Sequence, residues 1–137
     1  NDMYNKCLLE MQCCTMFDYI RLLDTRIQRM QGSDGAKVIK MNFGMAIMAL
    51  KAGFPIRRSG WNGKGLMVFK QVPAHIDSDI IPKMQSIPQS AKDLILKGKG
   101  FIDYTSQCLI YNENTGRADS WVPSISDVFA EDWEIVE

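Results

Sequence analysis

Histidine is nearly missing from this chain: His75 is the single imidazole in 137 residues. A nucleophile activated by a histidine base therefore has one candidate partner. That candidate lies in a proline-broken segment with no G-x-S-x-G around it. No catalytic residues are expected on this ground. The same scarcity argues against a histidine- and cysteine-built metal site. The cysteines are Cys7, Cys13, Cys14 and Cys108, and none has C-x-x-C spacing. Three of them crowd one helical segment, two side by side, which reads as reduced thiols of a cytosolic protein. No cofactor is expected. Long hydrophobic runs are missing too, which excludes a membrane span of about 20 apolar residues. Residues 1–30 carry Asp2, Lys6, Glu10, Asp18, Arg21, Asp24, Arg26 and Arg29, so no secretory signal is expected there. There is no charge excess either: Lys plus Arg number 16, as do Asp plus Glu. A DNA or RNA partner would call for a clustered basic excess. A small anion needs only a few well-placed donors.

What is present is patterned. Residues 3–31 read as one long helix, uninterrupted by proline or glycine. Leu9, Cys13, Met16, Ile20, Leu23, Ile27 and Met30 alternate in steps of four and three, a heptad seam. Two readings stay open: the helix packs on its own domain, or it pairs with another copy. Gln31–Lys37 has linker composition, which divides the chain into a helix and linker over 1–37 and a compact unit over 38–137.

In that unit, Asn42 is a candidate N-cap for a short helix. Its Phe43, Ala46, Ile47 and Leu50 recur at helical spacing, and Gly53 marks its end. A strand at 54–58, a glycine-rich turn at 59–65 and a strand at 66–72 follow. Residues 73–100 read as a long polar loop with one helix near 90–97. A strand at 101–112, a hairpin turn at Asn114-Thr115-Gly116, a strand at 117–122, a helical turn at 125–130 and a strand at 132–136 complete the chain. The fold class expected is α+β, an antiparallel β-sheet with short helices packed on one side, preceded by a long N-terminal α-helix.

Two constellations carry chemistry. Around Ser59–Gly65, successive glycines allow backbone N–H groups to converge on an anion. Arg57, Arg58 and Lys64 flank the turn, Trp61 offers a flat face for a base, and Asn62 can read a base edge or a hydroxyl. The bland alternative is a tight turn with Trp61 in the core. The second constellation is Trp121, Ser124 and Asp127, where Ser124 and Asp127 also fit a helix cap and its third-position acid. Trp133 is expected in the core. The turn lacks the Gly-Lys-Ser/Thr ending of a P-loop and precedes a strand, so it is not a nucleotide-triphosphate site of that kind.

Three stretches resemble one family. Met41-Asn42-Phe43-Gly44 with Ala46-Ile47 and Ala49-Leu50 resembles its opening. Arg58-Ser59-Gly60-Trp61-Asn62-Gly63-Lys64-Gly65 resembles its central turn. Trp121-Val122-Pro123-Ser124, Asp127 and Ala130–Glu134 resemble its closing signature. The family is the second Thoeris anti-defence family of phages and prophages. The resemblance covers residues 41–72 and 101–137 and implies a molecular sponge. Such a protein sequesters glycocyclic ADP-ribose signals without cleaving them, and in some members takes up cyclic dinucleotides of the related CBASS pathway. It further implies a homotetramer with pockets where protomers meet, acting in the cytoplasm of the infected bacterial host. By motif, the binding role passes to Trp61 and Asn62, then to Trp121, Ser124 and Asp127, and last to Asn42 and Phe43. Arg57, Arg58 and Lys64 join on charge and position. The helix at 3–31 and the 73–100 segment depart from the family pattern.

Overall fold

In a computed structural model describing residues 2–137, the heptad-bearing segment forms one helix, α1 (Asp2–Met30). Asn42 does cap the next helix, α2 (Phe43–Lys51), its side-chain oxygen accepting from the Met45 N–H. The chain then forms β1 (Ile56–Arg58), β2 (Leu66–Lys70), β3 (Ala74–Ile76), α3 (Gln89–Lys97), β4 (Ile102–Tyr104), β5 (Cys108–Asn112), β6 (Arg117–Trp121), α4 (Ile125–Phe129) and β7 (Trp133–Ile135). The main sheet has the order β6-β5-β2-β1-β7 with antiparallel pairing throughout. The fold is α+β as expected.

Two local readings are corrected. The 73–100 segment is not a loop with one helix, since its β3 pairs with β4 in a separate two-stranded ribbon. A three-residue strand is too short for alternation to be legible. The strand read at 101–112 is two strands. Thr105-Ser106-Gln107 lies between them as the chain passes from the ribbon to the main sheet, where β5 meets β2.

The core is the seam between α2 and the sheet. Met41, Met45, Ala46, Leu50, Ile56, Val68 and Trp133 are buried. The buried face of α2 is Met45, Ala46, Ala49 and Leu50, with Phe43 and Ile47 half-buried beside it. It is rotated from the stripe read by periodicity, because α2 is apolar nearly all round and touches both the sheet and α4.

The helix α1 has no buried residue. Leu22 packs against the core, and the Arg21 guanidinium donates to the carbonyls of Ile39 and Lys40. The Asn42 amide donates to the Asp18 carboxylate at 3.1 Å, and Arg29 meets Ala36 O and Glu137. Among the described residues no helix is long and apolar enough to cross a membrane.

Candidate functional site

Trp133 organises the site. It is fully buried, and its indole N–H donates to the Asp127 carbonyl at 2.9 Å. Three aromatic rings surround it: Trp61 edge-on at 5.4 Å, Phe43 tilted at 5.6 Å and Trp121 edge-on at 6.2 Å. Edge-to-face packing is the arrangement that aromatic quadrupoles favour. The opening, central and closing stretches of the sequence thus meet on one side chain.

A charged lattice fixes the central turn beside that cluster. Arg58, at the end of β1, donates from Nε to Asp132 at 2.8 Å and from Nη1 to Asp127 at 2.9 Å. Asp127 also accepts the Trp61 indole N–H at 3.3 Å and the Ser124 backbone N–H at 3.0 Å. The Ser124 hydroxyl accepts from the Asp127 N–H, closing a capping box at the start of α4. Asp132 accepts the Gly60 N–H at 2.9 Å.

The titration behaviour follows from this geometry. Burial pushes Asp127 upward, but hydrogen bonds from Ser124, Arg58 and Trp61 outweigh it and hold the carboxyl below its ordinary range. Burial likewise pushes Asp132 upward, and Arg58 with the Gly60 N–H brings it below that range. Arg58 is raised by its hydrogen bonds to Asp132 and then Asp127.

Gly60 is dictated by the lattice, because a Cβ there would sit 2.5 Å from the Asp132 carboxylate oxygen. Gly65 has φ +85° and lies against Asn114, whose amide donates to the Lys64 carbonyl. One expectation is corrected here. The turn's N–H groups do not all converge on open space: Gly60 donates to Asp132, and Trp61 N–H donates to the Arg58 carbonyl.

Outside the lattice lies an open cleft of about 380 Å³, lined among others by Arg57, Arg58, Trp61, Lys64, Glu113 and Glu134. Arg57 is paired with Glu134 at 2.7 Å and remains partly exposed. Lys64 is exposed and has no ion pair among the described residues. Asn62 is exposed at the turn's tip. The structure therefore brings Arg57, Arg58, Trp61 and Lys64 into one cleft. Asp127 and Ser124 stand behind Trp61 as its support, and Trp121 and Phe43 also pack against Trp133. Asn42 opens instead onto a second cleft, of about 420 Å³, shared with Phe17, Asp18, Arg21, Lys40 and Glu131.

Sequence reasoning missed Asp132 as a lattice member and Glu134 as the partner of Arg57. Their signal was the charge match between β1 and β7, where Arg57 pairs in register with Glu134 and Arg58 lies one residue from Asp132. Glu113 is brought to the cleft by the β5–β6 turn; the turn itself was legible, but its approach to the central turn was not, because it depends on the pairing of β5 with β2.

These residues fall inside a recognised domain. Residues 41–136 match the Tad2-like model, described as a Thoeris anti-defense 2-like domain. The chain is also 34% identical over 102 residues to a protein of Bacillus phage SP01 named Thoeris anti-defense 2, across 71% of this chain and 96% of that relative. The domain match covers most of the chain and the alignment runs nearly the full length of the phage protein, so this chain belongs to the Thoeris anti-defense 2 family.

Proposed function

We propose that the protein is a sponge that captures cyclic nucleotide immune signals in the cytoplasm of an infected bacterium and returns them intact. Glycocyclic ADP-ribose is the first ligand, cyclic dinucleotides the second, so that both Thoeris and CBASS signalling are targets. Residues 38–137 form the sponge domain. The observation that carries this reading is the Trp61 cleft: an indole held rigidly by Asp127 and Trp133 beside Arg57, Arg58 and Lys64. A rigid aromatic face offers stacking to adenine, and the cations offer charge-assisted bonds to phosphates. Arg58 is already shared between two carboxylates, so Lys64 and Arg57 are the cations that meet phosphate, Arg57 by leaving Glu134. The cleft is open on one side, which suits completion by a second protomer in a homotetramer. Trp121, Ser124, Asp127 and Phe43 act by holding Trp61 and Trp133. Asn62 reads the ligand from the turn's tip, and Asn42 belongs to the neighbouring cleft.

The test is capture and release. The protein is mixed with glycocyclic ADP-ribose, freed of unbound ligand by filtration and heat-denatured, and the released fraction is analysed. Intact ligand in stoichiometric amount supports a sponge, and altered ligand means an enzyme. If neither this signal nor cyclic dinucleotides are captured, the reading gives way to an oligomerising adaptor without a nucleotide ligand. Trp61→Ala is expected to weaken capture by about 10- to 100-fold, the loss of one stacked base.

A further inference from the structure

The heptad seam of α1 and the face by which α1 docks on its own chain are opposite faces of one helix. With Cys13, Ile20 and Ile27 at the a positions, the d positions are Leu9, Met16, Leu23 and Met30. The contacts to the rest of the chain come from Asp18, Arg21, Leu22 and Arg29, which occupy positions f, b, c and c. On a helical wheel those positions centre about 180° from the a/d seam. Docking therefore leaves the seam uncovered: Leu9 is 62% exposed, Ile20 57% and Ile27 42%, and Cys13 is exposed as well.

We infer that α1 is a self-association element that pairs with α1 of a second copy of this chain as a parallel, in-register, two-stranded coiled coil. The seam from Leu9 to Met30 is about 32 Å long at 1.5 Å per residue, and the helix is about 10 Å across. The resulting apolar strip is about 300 Å², comparable with the largest patch on a typical monomer, a patch that is often functional. Ile20 and Ile27 at a, with Leu9 and Leu23 at d, match the combination that favours two strands, and Cys13, Met16 and Met30 fill the rest of the seam. Charge selects the direction. In the parallel pair, position g faces e of the other copy, which sets Gln12 against Phe17 and Tyr19 against Asp24, with no like charges opposed between Leu9 and Met30; Lys6, at the a position ahead of that stretch, meets its own copy at the helix's N-terminal end. The antiparallel pair of greatest overlap sets Glu10 of one copy against Asp24 of the other. This element lies outside the matched domain of residues 41–136, and the inference stands apart from any ligand.

Register supplies the test. Helix axes about 10 Å apart, with Cα atoms about 2.3 Å off each axis, bring the two copies of Cys13 to a Cα separation of about 5–6 Å, within disulfide reach. Cys7 and Cys14 lie at b positions, off the seam. The full-length C7S/C14S variant, which keeps Cys13, and C7S/C13S, which keeps Cys14, both retain the half-buried Cys108 as a common background; they are oxidised with diamide and followed on non-reducing gels. The expected result is a covalent dimer forming at least about tenfold faster through Cys13 than through Cys14. Adding Ile20→Glu and Ile27→Glu to C7S/C14S is expected to slow that cross-link by a similar factor, with the tryptophan near-UV signal of the folded domain unchanged. Equal rates for the two thiols, no dimer through Cys13, or a cross-link indifferent to the two glutamates overturns the inference. None of these readouts depends on whether the domain captures a nucleotide.

Discussion

Replacing Arg58 by alanine tests whether the central turn is held in place or merely folded there. The guanidinium joins two carboxylates from separate places in the chain, Asp127 on α4 and Asp132 ahead of β7. Its side chain is 20% exposed, Asp127 is 12% exposed and Asp132 28%. Removing one member of a buried pair costs about 3–5 kcal/mol, because the other is left buried and unpaired. Partial exposure lets water recover some of that loss, so Arg58→Ala is expected to cost about 2–3 kcal/mol. In urea this is a fall of about 1–2 M in the unfolding midpoint, read by tryptophan fluorescence. Arg58→Lys keeps the charge but loses the fork, and a single ammonium cannot span both carboxylates. About 1–2 kcal/mol is expected for it. Acid supplies the second readout. Both carboxyls are held below their ordinary range in the folded protein, so their contribution is present above about pH 4. It is lost as pH falls through the lowered values. The gap between wild type and Arg58→Ala therefore narrows from about pH 7 to about pH 3. An unchanged midpoint, or a gap of the same size at both pH values, would refute the argument.

Trp133→Ala removes the ring that Phe43, Trp61 and Trp121 pack against and is expected to cost about 3–5 kcal/mol, measurable by the same urea titration. Gly60→Ala drives a methyl group against the Asp132 carboxylate, and a loss of about 1–3 kcal/mol is expected, much reduced in an Asp132→Ala background. His75 sits opposite Asp103 across β3 and β4 and also meets Asp77, so its pKa is raised by Asp103 first and Asp77 second. The ribbon's contribution from His75 is complete below the ordinary histidine value of about 6.5 and is lost as pH rises through the higher folded value. An NMR titration of His75 should show that upward shift and lose most of it in Asp103→Asn.

The fold was legible where local chemistry determines it. Asn42 announced a helix start, Ser124 and Asp127 announced a capping box, and Asn114-Thr115-Gly116 announced the hairpin, because each signal acts within a few residues. The three-residue strand Ala74–Ile76 gave none, since its identity comes from Ile102–Tyr104, more than twenty residues away. Periodicity marked an apolar stripe on α1 but could not say which face the rest of the chain would take. Contacts through Arg21, Leu22 and Arg29 decide that, and two of these three residues are charged. At the candidate site the residue types were legible and their division of labour was not. Arg57 and Arg58 are neighbours of equal charge in the sequence, yet one points to a half-exposed Glu134 and the other is shared by two carboxylates. That difference arises from strand pairing, which alternates the faces of adjacent residues.

That division bears on how the family's motifs should be understood. A motif of arginine, tryptophan and glycine followed far along the chain by aspartate, aspartate and tryptophan suggests ligand contacts at every position. In the structure, Arg58, Gly60, Asp127 and Asp132 satisfy one another, and Trp133 is enclosed. What the lattice leaves available is the part of Trp61 that lines the cleft, with Lys64 and Arg57 beside it. A flat ring contributes most to binding when it is ordered before the ligand arrives, because the ordering entropy is then not charged against association. Asp127 supplies that order through the indole N–H, and Trp133 supplies it through a T-shaped ring contact. The separation has a consequence for mutants of this domain. Substitutions at Arg58, Asp127 or Asp132 should lower ligand capture and folding stability together, whereas substitutions at Lys64 should lower capture with stability unchanged.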